Sequence, residues 1–255
     1  GLGGTAISIP MSVVGKHFPL SNRTIAMSIV TAVGSFGYFL SPLLTEYSLT
    51  ENGWKNTLVA CLIALFIGLI ISFFVRSPSL KESIEQPNNQ GTFDALKEAF
   101  GTKSYMLLVS GFFVCGFHIT LVGTHVPTYV IDRGLESWTA AAILSLIGLF
   151  NIFGSLTSGY LSTKMSKKII LSTIYALRGV SIMFFIFLPA SNINSFIFGA
   201  TFGFLWLSTV PATSGIVAHM FGTKYLGLLY GIVFLSHQVG SFFGAYLGGL
   251  FHDLY

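Results

Sequence analysis

The sequence predicts an all-α integral membrane protein, and three observations carry that expectation. Only 9% of the 255 residues are charged while 53% are hydrophobic, and the mean hydropathy is +0.76. Soluble domains carry about 25% charged residues, and a soluble chain of this size could not cover its surface with so few. Apolar runs of about 18 or more residues, long enough to cross a bilayer, recur along the chain. The lysines and arginines fall almost entirely between those runs, and on one side of them.

Hydropathy and breakers divide the chain into eight spans. The first, about 1–17, carries Pro10 between Ser8 and Ser12 and ends in the basic loop KHFPLSNR. Short polar connections then separate spans at about 24–44 and 54–75. Residues 76–103, RSPSLKESIEQPNNQGTFDALKEAFGTK, are charged and breaker-rich and form the one extended linker. Within it Thr92 is placed to cap a short helix with Phe93, Leu96 and Phe100 on one face, which suits a helix lying on the membrane surface. Spans at about 104–131, 138–163, 168–189, 194–220 and 224–251 follow. The expected organisation is three spans in 1–75, the linker 76–103, and five spans in 104–255.

Alternating the loops across the membrane puts Lys16, Arg23, Arg76, Lys81, Lys97, Lys103, Lys164, Lys167, Lys168 and Lys224 on one side and only Lys55 and Arg133 on the other. By the positive-inside rule the linker is expected in the cytoplasm, with the chain multi-pass in the cell membrane. Topology therefore explains the net charge of +4 and the pI near 9.1, and nucleic-acid binding has no support. Cys61 and Cys115 lie inside apolar runs and read as packing residues. The opening GLGGTAISIPM lacks the features of a signal peptide and reads as the inside of a helix.

Two echoes point to an internal repeat. Ser8-Ile-Pro-Met-Ser12 resembles Thr209-Val-Pro-Ala-Thr213, and Val33-Gly-Ser-Phe36 recurs as Val239-Gly-Ser-Phe242. The offsets, 209 − 8 = 201 and 239 − 33 = 206 residues, are nearly equal. They pair the first span with the seventh and the second with the eighth, so the repeating unit is six spans. An even number preserves orientation, giving two parallel repeats about an axis along the membrane normal. Three spans are then expected before residue 1 and one after Tyr255.

Four segments bear on family. They are the opening GLGGTAISIPMSVVGKHFP, the run from His125 to Ser162, the loop GYLSTKMSKK at 159–168, and the run from Phe221 to Gly249. Together they resemble the major facilitator superfamily, specifically its monocarboxylate-transporter-like and oxalate/formate-antiporter-like branch. The resemblance implies the major-facilitator fold, with about helices 4–11 of 12 present. Gly159, Leu161, Lys164, Lys167 and Lys168 match the superfamily's loop pattern G-x-L-x-D-R-x-G-R-R. Thr163 and Ser166 depart from it, and loss of the acid weakens the gating salt bridge the family builds there.

The function implied is secondary active transport of a small solute, an organic anion such as a monocarboxylate, by alternating access. A channel or a sensor on the transporter fold is the alternative. An enzyme is not expected: Ser214 and His219 stand five apart on one span, and neither G-x-S-x-G nor H-E-x-x-H occurs. No catalytic residue, cofactor or metal is expected; the partners are a small-molecule substrate and the bilayer, and the oligomeric state a monomer. Proton coupling would fall to a histidine or to acids in helices outside the chain.

Arg178 is the only full charge in the middle of a span, and such a residue is by default functional. The branch's substrate-binding arginine is typical of the eighth helix, here 138–163, whose polar centre is instead Asn151. Arg178 falls on the ninth, which the family uses as scaffold. Capping of carbonyls and substrate contact both remain open for it. His118 and His125, seven apart on one span, and the neighbours His237 and Gln238 are candidates for substrate or proton binding, or for interhelical hydrogen bonds. Trp206 and Tyr129 are cavity-wall or interface candidates, while Trp54 and Trp138 read as belt residues. Gly240, Gly244 and Gly248 form a small-residue packing face, with Gly148, Gly154 and Gly159 able to act alike. Pro10 and Pro211 are expected to bend their helices for gating, with Ser8, Ser12, Thr209 and Thr213 re-satisfying the freed carbonyls.

Overall fold

The computed structural model describes residues 14, 18, 20–74 and 91–254. The first expected span, with Ser8, Pro10 and Ser12, and the linker up to residue 90 lie outside the described residues. Every regular element among the described residues is an α-helix. Helix α1 (Leu20–Phe74) folds at Gly53 into arms 20–52 and 54–74. Gly53 has φ 73 and ψ 168, a conformation open in practice only to glycine. The two arms match two expected spans, but helix replaces the polar connection up to Asn52. Hydropathy marks the length that needs apolar solvent, whereas backbone hydrogen bonding continues into the interface. Thr50 Oγ1 donates to Glu46 O at 3.1 Å, and Ser48 meets Thr57 across the fold at 2.9 Å.

Helix α2 (Thr92–Gly101) corrects the expected cap. Gly91 is the N-cap and no side chain caps the end, so Thr92 is the first helical residue. Ala95 and Ala99 take the face against the bundle, while Phe93 and Phe100 are exposed. Next come α3 (Lys103–Asp132), α4 (Ser137–Lys164) and α5 (Lys167–Phe187), within a few residues of expectation. The expected span 194–220 is one crossing made of two helices, α6 (Asn192–Leu205) and α7 (Thr209–Phe221), interrupted at 206–208. Helix α8 (Leu226–Leu254) closes the bundle. Six segments among the described residues are long and apolar enough to cross a membrane; the first holds both arms of α1 and the fifth holds α6 and α7.

The most extensive contacts are α1 on α4, α3 on α8, and α4 on α6. The α3–α8 seam is made by small residues. A Cβ at Gly240 or Gly244 would collide with the carbonyl of Phe113 or Phe117, and one at Gly248 with the His125 ring. Reciprocally, Gly116 of α3 admits the backbone of His237. Such contact matters in lipid, where no hydrophobic force drives helices together and dispersion must do so at short range.

Candidate functional site

The site begins with the interruption itself. Helix α6 has 14 residues, about 21 Å at 1.5 Å per residue, and α7 has 13, about 20 Å. Residues 206–208 therefore sit near the middle of the crossing, where an unpaired backbone group has no water to turn to. Five of the groups freed at the break are paired by side chains or by neighbouring helices. Ser208 Oγ donates to Phe204 O at 2.5 Å. Leu205 O accepts from Arg178 Nε at 3.1 Å and Nη2 at 2.7 Å, and Nη2 also donates to Trp206 O. Ser158 Oγ donates to Ser208 O at 2.5 Å. Leu207 N donates to Asn151 Oδ1 at 2.8 Å.

Pro211 now has a simple account. It is the third residue of α7, where a backbone N–H has no intrahelical acceptor in any case. The chain is interrupted just before the proline, which stands in the first turn of α7 rather than in a helix interior. The freed carbonyls are also met by other groups than expected. Thr209 Oγ1 lies 3.4 Å from Cys115 Sγ, and Thr213 Oγ1 is buried with no partner among the described residues. The carbonyls instead take Arg178, Ser158 and Ser208.

Helix α4 grips the break through one face. Asn151, Gly154 and Ser158 are spaced i, i+3, i+7 and so lie in line. A Cβ at Gly154 would collide with Phe204 O, so the glycine brings both polar neighbours within reach. Because Leu207 N can only donate, the atom of Asn151 facing it is the amide oxygen. The amide NH2 then donates to Ser35 Oγ of α1 at 2.6 Å, and that hydroxyl donates to Thr31 O at 2.7 Å. Asn151 is 1% exposed, with both ends of its amide committed.

Arg178 is fully buried. Besides the two carbonyls, its Nη1 donates to Cys115 Sγ at 3.1 Å, and the guanidinium lies 5.6 Å from the centre of the Tyr175 ring. Its position opposes cation to the carbonyl end of α6, the negative pole of that half-helix. No carboxylate among the described residues lies at this depth: Glu46, Glu51, Asp94, Glu98, Asp132, Glu136 and Asp253 all sit towards helix ends. The break also meets α1 and α3. The Trp206 ring lies 5.8 Å from that of Tyr38 and 5.5 Å from that of Phe202. Trp206 and the Tyr38 hydroxyl both face Gly123, at 3.5 and 3.7 Å from where a Cβ would stand.

The remaining candidates scatter. His118 is half-buried, edge-on to Phe117 and within electrostatic range of Arg178. His125, one heptad along, bonds Ala245 O at 2.9 Å and packs on Gly248, so it serves the α3–α8 seam. His237 is buried, stacked on Phe234 at 5.0 Å, with Ser241 Oγ 3.5 Å from its Nδ1. Gln238 is half-buried beside it. Tyr129 packs on Phe185 at 5.5 Å, under Arg133. In the loop motif, Gly159 abuts Ser28 of α1, Lys164 lies over Tyr160, and Lys167 runs past Gly215. Ser35, Tyr38, Cys115, Ser158 and Ser208 join the site unforeseen. Their only sequence signal is a small polar or aromatic residue at mid-span, which recurs too often in the chain to single them out.

The family model described as Major Facilitator Superfamily matches residues 1–245. The chain is 24% identical to an uncharacterized MFS-type transporter, YcxA, of Bacillus subtilis (strain 168), over 99% of the chain and 64% of that protein. It is 25% identical to monocarboxylate transporter 13 of Rattus norvegicus, over 96% of the chain and 56% of that protein. It is 23% identical to the oxalate:formate antiporter of Oxalobacter formigenes, over 96% of the chain and 59% of that protein. The chain thus spans about three-fifths of the length of these relatives. They are named as transporters rather than enzymes.

Proposed function

The chain belongs to the Major Facilitator Superfamily, and from that premise we propose that the protein moves a small organic anion, a monocarboxylate or close analogue, by alternating access. One observation carries the substrate class: the only full charge at mid-depth is Arg178, cationic and without a carboxylate beside it among the described residues. A buried cation met by carbonyl dipoles but by no full negative charge keeps a net positive charge in a low-dielectric surround, which favours an anion nearby. The guanidinium itself is occupied by backbone carbonyls, so it acts through its field and through the shape of the break. Tyr38, Gly123 and Trp206, which meet beside the interrupted helix, are the residues assigned to substrate contact. Broken helices near the midplane are where transporters of this build bind their cargo.

Residues 1–75 belong to one six-helix half and 104–255 to the other, joined by 76–103 in the cytoplasm. The α1–α4 seam is the contact that slides: a Cβ at Gly148 would collide with the backbone of Phe39, and one at Gly159 with Ser28. Helices that meet at glycine present few interlocking side chains to resist movement. Relatives named for monocarboxylate, oxalate:formate and cis,cis-muconate transport support the anion class. Uptake of labelled acids by proteoliposomes holding the full-length protein tests it. Competition by short carboxylates is expected; competition by sugars or amines, with carboxylates inert, removes the anion assignment.

A further inference from the structure

A pocket of about 690 Å³ opens between α3, α5 and α7 at the lysine-rich end of the bundle. Lys167 and Lys168, in the first turn of α5, and His219, in the last turn of α7, form its mouth. Leu107 and Leu171 wall it, and Tyr175 closes it. Lys168 and Tyr175 are seven residues apart on one helix, so the pocket runs about 10 Å along the membrane normal. Chemistry changes over that depth from cationic to apolar. No carboxylate lines the pocket. Neither lysine has an ion-pair partner among the described residues. The Lys167 side chain passes close over Gly215, with Cε 3.0 Å from where a Cβ would stand, and so leans on α7 from above the pocket.

We propose that this pocket is a binding site for one anionic phospholipid of the lysine-rich leaflet. The phosphodiester sits between Lys167 and Lys168, and an acyl chain descends along Leu107 and Leu171. Basic clefts between membrane helices on the cytoplasmic side attract anionic headgroups, and here the apolar wall lies directly beneath the charges. A free anion would leave that wall unused. A zwitterionic lipid would bring its own ammonium towards the two lysines.

Native mass spectrometry of the full-length protein, titrated separately with phosphatidylglycerol, phosphatidylcholine and inorganic phosphate, tests the assignment. Phosphatidylglycerol is expected to bind severalfold more tightly than phosphatidylcholine, and millimolar phosphate should not displace it. At about fivefold per lysine, Lys167→Gln with Lys168→Gln should weaken it about twenty-five-fold. The double arginine variant should retain binding, and Lys55→Gln, at the other end of the bundle, should not alter it. Leu107→Trp, which narrows the cleft at its apolar wall without changing charge, should also weaken binding. Equal affinity for the two lipids, indifference to the glutamine pair and to Leu107→Trp, or displacement by phosphate alone would each overturn the proposal. Transport is not the readout, so the outcome stands apart from the substrate assignment.

Discussion

Replacing Arg178 by lysine keeps the charge and removes the fork. The guanidinium serves two carbonyls at once, through Nε and Nη2 to Leu205 O at 3.1 and 2.7 Å and through Nη2 to Trp206 O, with Nη1 left for Cys115. A lysine ammonium on a shorter, flexible stem can reach one of those carbonyls. The other is left buried and unpaired, costing about 1–3 kcal/mol. The cost of holding a charge at mid-depth, about 3 kcal/mol on insertion scales, is undiminished. Methionine behaves differently: it frees both carbonyls, about 2–6 kcal/mol, but recovers those roughly 3 kcal/mol of charge burial. The two methionine terms net to about −1 to +3 kcal/mol, so Arg178→Lys, at about 1–3 kcal/mol, should destabilise at least as much as Arg178→Met although it keeps the charge. Thermal unfolding in detergent reads the first quantity, and uptake kinetics the second. If Arg178 positions the break, both variants lower the maximal rate more than they raise KM. A lysine variant with wild-type stability and rate, beside a defective methionine variant, would show that charge alone matters and refute the carbonyl-fork argument. A pure rise in KM would instead make Arg178 a substrate contact.

Asn151→Leu leaves Leu207 N unpaired in the core, so a loss of about 1–3 kcal/mol and slower uptake are expected, whereas Asn151→Asp keeps the acceptor and should retain the geometry better; equal behaviour of the two in unfolding and uptake assays would remove the role given to the amide oxygen. Gly240→Ala should cost about 1–3 kcal/mol by overpacking against Phe113 O, while Gly231→Ala, with nothing within 4 Å of its added Cβ, should be neutral or slightly stabilising; matching melting shifts would contradict the seam. Pro211→Ala creates an N–H whose helical acceptor is Leu207 O, and so favours winding the chain through the break. Membrane insertion should be unchanged and the transport rate altered, and unaltered uptake would reduce Pro211 to packing.

Membrane class and the approximate positions of the described spans were legible in the chain because apolar length and breakers are local properties. So were two of the residues that matter most at the break: a lone arginine among apolar neighbours, and the asparagine at the centre of an otherwise apolar span. Their partners were not legible. Hydropathy over 194–220 is continuous, and a proline at 211 is compatible with a kinked helix as well as with the start of a second one. The choice between them is made by Arg178 on α5 and by Asn151 and Ser158 on α4, which supply the hydrogen bonds that a broken helix loses. Those groups stand up to 56 residues away in the chain, and the two on α4 meet the break because Gly154 lets that helix close on it. The same holds for the histidines. Their spacing put His118 and His125 on similar faces, but the glycine seam of α8 takes His125 as a packing partner, while His118 lies edge-on to Phe117. Apolar patterning dictates that these segments enter the membrane as helices, because only a helix satisfies its own backbone there. Where a helix can afford to stop is a property of its neighbours, since the groups exposed by stopping must be paired across space.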